Sequence, residues 1–234
     1  MSPAAAASAL QWWADAGVDI LVDEEPRDWL NPKAKAPPPP PEPQPAPEDA
    51  LPDQLDLFQA WLAGSDRLAF ASPSAPRVCP SGDPSAGLMI LTDMPTLEDC
   101  GAGTLLSGDV GRLFDRMLAA IGRDRASIYL AALSCLRSPD GQLGGEAAQA
   151  CATLARHHVG LAAPKSLLLL GDACAKALLG LPVARARGRW HRIATHAGEI
   201  DALVTIAPRQ LLENPTQKRH AWADLQMLME GPGR

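Results

Sequence analysis

The chain is predicted to be an α/β protein: three layers, α/β/α, around a central four-stranded and mostly parallel sheet. Three observations carry this. Four short apolar runs of strand length recur at 88–91, 128–133, 166–170 and 203–206. One of them, SLLLL at 166–170, lacks polar alternation, as a strand buried on both faces does. The stretches between the runs place apolar residues at helical spacing. Strands that alternate with helices lie parallel and take helices on both faces.

The N-terminal 32 residues come first. Leu10, Trp13 and Val18 give residues 4–18 an apolar helical face, which Trp12 widens. Such a helix either packs on a neighbour or serves as a partner-binding motif, so residues 4–30 are the candidate site for a protein partner. Residues 33–49, KAKAPPPPPEPQPAPED, form a proline-rich spacer that stays extended and outside any core. Residues 50–75 resume a helical pattern through Leu51, Leu55, Phe58 and Leu62, with Trp61 beside them, and end in a turn-rich connection.

The globular domain is expected over 76–234. Its first strand, 88–91, breaks at Thr92 to Thr96 and leads into a Gly-rich loop at 100–111. The helix at 108–122 follows, with Val110, Leu113, Phe114, Met117, Leu118 and Ile121 on one face and Gly122 at its end. After the second strand, SPDGQLGG leads to a helix at 146–160. The third strand opens into a helix at 172–179, closed by Gly180. RARGRW (185–190) reads as a basic loop before the fourth strand. A last helix at 215–230 is expected to turn Trp222, Leu225 and Leu228 inward. A buried strand that ends in an irregular loop ahead of a helix is where α/β proteins place their sites. The stretch from Gly87 to Phe114 is therefore the candidate.

Composition narrows the classes. With 47% apolar residues there is a real core, and no apolar run reaches 18 residues, so no membrane span is expected. The first residues carry no Lys or Arg and make a poor signal peptide; the cytoplasm is the expected location. Five cysteines at 79, 100, 135, 151 and 174 stand singly, which fits a reducing compartment. Residues 1–75 hold 12 acidic and 4 basic side chains; residues 76–234 hold 15 and 17. The globular part is thus near neutral, which argues against tight non-specific duplex binding. His157 and His158 are adjacent and do not share a helix face, so they make a poor metal pair. Walker, dinucleotide and nucleophile-elbow motifs are missing.

From residue 76 onward an ordered set of features resembles one family. Pro95, Gly108 and Gly111 precede LFDRMLAAIGRDR; then come IYL, Arg137 and Pro139, LLLLGDACAKALLG, RGRW, AP-x-x-LLENP and W-x-DL. The set resembles the uracil-DNA glycosylase superfamily, and within it the family-four, iron–sulfur branch. The resemblance implies a three-layer α/β/α fold and excision of uracil from DNA.

Carried over position by position, the resemblance implies an altered site. The family's GEAPG motif falls on Thr92-Asp93-Met94-Pro95-Thr96. Asp93 stands where the family has its water-activating Glu, one methylene shorter, and is the candidate catalytic residue; Met94 and Pro95 flank it in the base pocket. Leu106 replaces the Phe that stacks on the flipped base, Ala132 the Asn that reads its polar edge, and Ala207 the His that supports the leaving base. Arg187, Gly188 and Arg189 keep the RGRW loop and, with Arg209, are the candidate DNA contacts. Of the family's four cluster cysteines only Cys151 is matched in place. Cys135 lies one residue before the third, and the N-terminal pair is missing. Neither an iron–sulfur cluster nor another metal is expected. Two functional classes follow. One is a glycosylase-like enzyme with weak, altered or lost excision, binding DNA weakly. The other is a non-catalytic DNA- or partner-binding protein on the same scaffold.

Overall fold

The computed structural model describes residues 50–233 and, near the N-terminus, residues 7, 8, 11–13, 15 and 16. The proline-rich stretch 33–49 and most of the N-terminal segment lie outside the described residues. Residues 7, 8, 11–13 and 15 are helical, with Trp12 and Trp13 exposed and their rings edge-on at 5.2 Å. The chain divides between Asp49 and Ala50.

Residues 50–233 build one sheet with helices on both faces. The chain runs α1 (Leu55–Gly64), β1 (Ser81–Gly82), β2 (Leu88–Thr92), α2 (Leu97–Ala102), α3 (Gly108–Ala120), β3 (Tyr129–Ala132), α4 (Gly145–Ala162) and β4 (Ser166–Leu170). It continues through α5 (Gly171–Leu179), α6 (Val183–Ala186), β5 (Trp190–Thr195), β6 (Gly198–Thr205), α7 (Pro208–Glu213) and α8 (Lys218–Glu230). The sheet has six strands in the order β1-β3-β2-β4-β6-β5, rather than the four expected. The four expected runs are its parallel centre. The two additions are antiparallel edges, β1 on β3 and β5 on β6. Edge strands bury little: both residues of β1 are exposed, and β5 buries only Ile193 fully. They therefore lack the apolar runs that mark the centre. Trp190, read as the end of a basic loop, opens β5.

Alternation divides the core in two. Met89, Leu91, Tyr129, Ala131, Leu167 and Leu169 face α4 and α5. Leu88, Ile90, Leu130, Leu168 and Leu203 face α3 and α8. A third cluster ties α1 to the domain: Phe58 and Leu62 pack with Leu68, Cys135 and Leu136.

Two further differences have local causes. The Gly-rich loop contains α2, started by a capping box in which Thr96 and Asp99 bond each other's backbone amides. Trp222 is 41% exposed rather than inward. The buried stripe of α8 is Ala221, Asp224 and Leu225, because Asp224 occupies the inward position with polar partners. That turns Trp222 to the helix edge, beside Leu113 and Met117.

The parallel strands set the position of a site. From β2 the chain passes to β3 on one side and returns to β4 on the other. Consecutive connections leave β2 and β4 towards opposite faces, opening a crevice at their carboxyl ends.

Candidate active site

Asp93 is the first residue beyond β2 and sits at this crevice. Its Oδ1 accepts the Met94 amide at 2.7 Å, and its carbonyl accepts the Ser134 amide beyond β3 at 3.2 Å. The side chain is exposed by area, yet protein rings it. That surrounding bulk pushes its carboxyl pKa up; the Met94 N–H and the Arg209 guanidinium pull it back, and Asp99 adds to the rise. A carboxylate that meets solvent while its proton affinity is raised can hold and deprotonate a water.

Met94 and Pro95 are buried behind it. The loop after β3 clamps both: Arg137 Nη1 donates to the Pro95 carbonyl at 3.2 Å, and the Ser138 hydroxyl meets Met94 Sδ at 3.6 Å. Cys174 Sγ, in the first turns of α5, donates to the Leu91 carbonyl at 3.3 Å beneath the crevice.

Leu106 lies in a constrained loop between α2 and α3. Its φ is +54°, rare for a side chain with a Cγ branch, and it is buried. Two residues hold this conformation. Asp99, 2% exposed, accepts the Ser107 amide at 2.6 Å and the Thr96 amide at 2.9 Å. Arg125 donates to the Leu105 carbonyl at 2.8 Å and to the Leu106 carbonyl at 2.6 Å, with its guanidinium over the Phe114 ring. The two glycines singled out in sequence follow from the same loop. A Cβ on Gly108 would strike the Glu98 carboxylate, and one on Gly111 the Leu106 carbonyl. Neither Asp99 nor Arg125 was picked out from sequence. The T-x-x-D capping box was the available signal for the first; the second has none, since its partners lie 19 and 20 residues away.

Ala132 ends β3 and packs on the same face as Leu106. Ala207 caps α7 after β6, and a Cβ on Gly171 would lie 2.9 Å from its own Cβ, so Gly171 at φ +85° lets the ends of β4 and β6 approach. Asp93 thus shares the carboxyl end of the sheet with side chains at 106, 132 and 207 that have no hydrogen-bonding atom. Arg209, the second residue of α7, is exposed and lies 3.4 Å from Glu213.

The RGRW loop divides its arginines. Arg189 is exposed, donating to the Arg185 carbonyl at 3.3 Å. Arg187 turns inward and forks onto the buried Asp224, through Nε at 3.1 Å and Nη2 at 3.0 Å. Gly188 between them takes φ +76° with open space around it.

Cys135 and Cys151 line one small cavity of about 20 Å³ with Phe58, Leu62, Leu68 and His158. Burial raises both thiols, Cys135 to about 11, and Cys135 Sγ donates to the Leu62 carbonyl at 3.6 Å. A four-iron cluster needs four thiolates. The side of the cavity formed by α1 and the turn after it presents Phe58, Leu62 and Leu68 instead, so this donor set does not fit one. Among the described residues no three His, Cys, Asp or Glu side chains are grouped to hold a metal.

A mixed α/β sheet with a carboxylate at the switch point of its parallel centre places the chain among the doubly wound α/β folds. A family model described as the uracil DNA glycosylase superfamily matches residues 79–226, and the chain belongs to that superfamily. Over 157 residues, 64% of this chain and 80% of the relative, it is 24% identical to a type-4 uracil-DNA glycosylase of Pyrobaculum aerophilum. Among the described residues no helix is long and apolar enough to cross a membrane.

Proposed function

We propose that the chain is a DNA base-excision protein of the uracil-DNA glycosylase class in which excision of uracil is weak, altered or lost. One juxtaposition supports this: Asp93, with its raised proton affinity, sits at the crevice with Leu106, Ala132 and Ala207 as the other pocket positions. In this reading a water held by the Asp93 carboxylate attacks the sugar C1′ of a flipped nucleotide. The water's proton passes to the carboxylate, and the electron pair of the broken N-glycosidic bond leaves on the base. Ala132 cannot hydrogen-bond the base edge, and Ala207 cannot stabilise the departing charge. Losing one such stabilising donor costs about 10²–10³ in rate.

DNA is held weakly, through exposed Arg189 and Arg209 on a domain near neutral in charge. No cluster takes part, in keeping with the apolar side chains that α1 presents to Cys135 and Cys151. Five free thiols suit the cytoplasm. Anaerobic reconstitution with iron and sulfide is expected to leave the protein without bound iron; stoichiometric iron with a raised Tm would overturn the cluster-free reading.

The test of activity is excision on single- and double-stranded oligonucleotides carrying uracil, hypoxanthine or xanthine, followed by alkaline cleavage, with Asp93→Asn as control. Slow scission that Asp93→Asn abolishes supports an enzyme with a rebuilt pocket. Scission that survives Asp93→Asn removes Asp93 from the mechanism. A second reading, a non-catalytic DNA- or partner-binding protein, draws on the exposed Trp12 and Trp13 in an acidic N-terminal segment. It gains if no base is released at stoichiometric protein.

A further inference from the structure

We infer that Asp224 is a positioning residue for the RGRW loop: it locks Arg187 and Gly188 onto β6 and α8, leaving Arg189 and Arg209 as the phosphate-facing cations. The side chain of Asp224 is 1% exposed. Its Oδ2 accepts Arg187 Nε at 3.1 Å and the Thr205 hydroxyl at 2.9 Å, and its Oδ1 accepts Arg187 Nη2 at 3.0 Å. The Gly188 N–H lies near enough to this carboxylate to lower its proton affinity. Arg187 Nη2 further donates to the His220 carbonyl at 2.6 Å. One buried anion therefore gathers an arginine side chain from the loop, a hydroxyl from β6 and the helix α8 that carries it.

This network joins two motifs that the sequence singles out but the pocket does not use, RGRW and W-x-DL. It also reassigns Arg187, a candidate DNA contact by sequence. A phosphate could take the Arg187 fork only by stripping a buried carboxylate of its cation, which is strongly unfavourable. Arg189, two residues on, is exposed and has no such commitment to a carboxylate. Thr205 lies two residues before Ala207, so the lock ties the loop to the strand end that carries the pocket wall.

The part of this inference that concerns phosphate rests on the proposed DNA-binding function; the lock itself does not. The test uses the full chain and two readouts. The first is backbone hydrogen exchange across residues 186–191. Asp224→Asn, Arg187→Ala and the milder Thr205→Val are expected to speed exchange there while the parallel strands stay protected. Unchanged exchange in all three overturns the lock.

The second readout is affinity for a fluorescent DNA duplex against salt concentration. Arg189→Ala and Arg209→Ala are each expected to reduce the slope of log affinity on log salt by about 0.9, one phosphate contact. Arg187→Ala and Asp224→Asn are expected to weaken binding at unchanged slope. A slope reduced by Arg187→Ala, with binding unaffected by Asp224→Asn, overturns the reassignment. Absence of any duplex binding by the unaltered chain overturns the DNA-binding function and the phosphate assignment together, while faster exchange in the variants still upholds the lock.

Discussion

Asp93 carries opposite demands on stability and chemistry. Burial raises its pKa, so the folded protein holds the proton more tightly than the unfolded chain does. Stability contributed by that proton is present below the ordinary carboxylate range and is lost as pH rises through the folded pKa. Above its folded pKa the ionised carboxylate is destabilising, and a neutral isostere removes that cost. Asp93→Asn is therefore expected to keep or raise the Tm while abolishing any excision; calorimetry beside the oligonucleotide assay checks both halves. The excision rate should rise with pH through a pKa above that of a free carboxylate, because the base must be deprotonated. The place of Asp93 directly after a buried strand was legible in the sequence; its catalytic role is what the family resemblance implies. Asp224 stands in the W-x-DL motif, but its partners were not legible, because Thr205 and Arg187 lie 19 and 37 residues away and only the fold brings them together.

Among the elements, α1 is tied to the domain by a buried polar chain. Gln59 Nε2 donates to the Tyr129 hydroxyl at 2.6 Å, which leaves that hydroxyl to donate to Nε2 of a neutral His158 at 2.7 Å. Burial, with His157 alongside, lowers the His158 pKa to about 4, and burial raises Tyr129 to about 12. The unfolded chain binds the His158 proton from about pH 6.5 downward, whereas the folded protein does so only near pH 4. Stability from this group is complete above pH 6.5 and is lost as pH falls towards 4. The loss is on the order of 3 kcal/mol. His158→Gln is expected to flatten that part of the stability–pH curve, measured by denaturant unfolding at stepped pH. The helical spacing of Phe58 and Leu62 made α1 readable, but not the surface it covers. The β5–β6 hairpin went unread for the reason given by its burial: one edge strand, with a single fully buried side chain, has too little apolar pattern to announce itself.

At the scale of the whole molecule, the fold class follows from the four buried runs, and their parallel order places the crevice. Leu106, Ala132 and Ala207 are pocket positions only as the family resemblance implies them, and none of the three side chains can hydrogen-bond or stack as a polar or aromatic group would. What holds those positions was not readable. The left-handed Leu106 depends on Asp99 and Arg125, and the approach of β4 to β6 depends on Gly171 beside Ala207. Under the proposed function, the superfamily's fold is kept around pocket positions 106, 132 and 207 whose side chains have no hydrogen-bonding atom. If the proposed function holds, placing polar groups at 132 and 207 should raise uracil excision, with Asp93 as the base.

The measurement that tests this most directly is uracil excision by the double variant Ala132→Asn with Ala207→His, compared with the unaltered chain and with the triple variant that adds Asp93→Asn. The account predicts a gain of about 10²-fold or more in rate, the scale of one restored charge-stabilising donor, and its loss in the triple variant. A folded double variant that excises uracil no faster than the unaltered chain would contradict it, and would mean that the frame itself no longer admits a base.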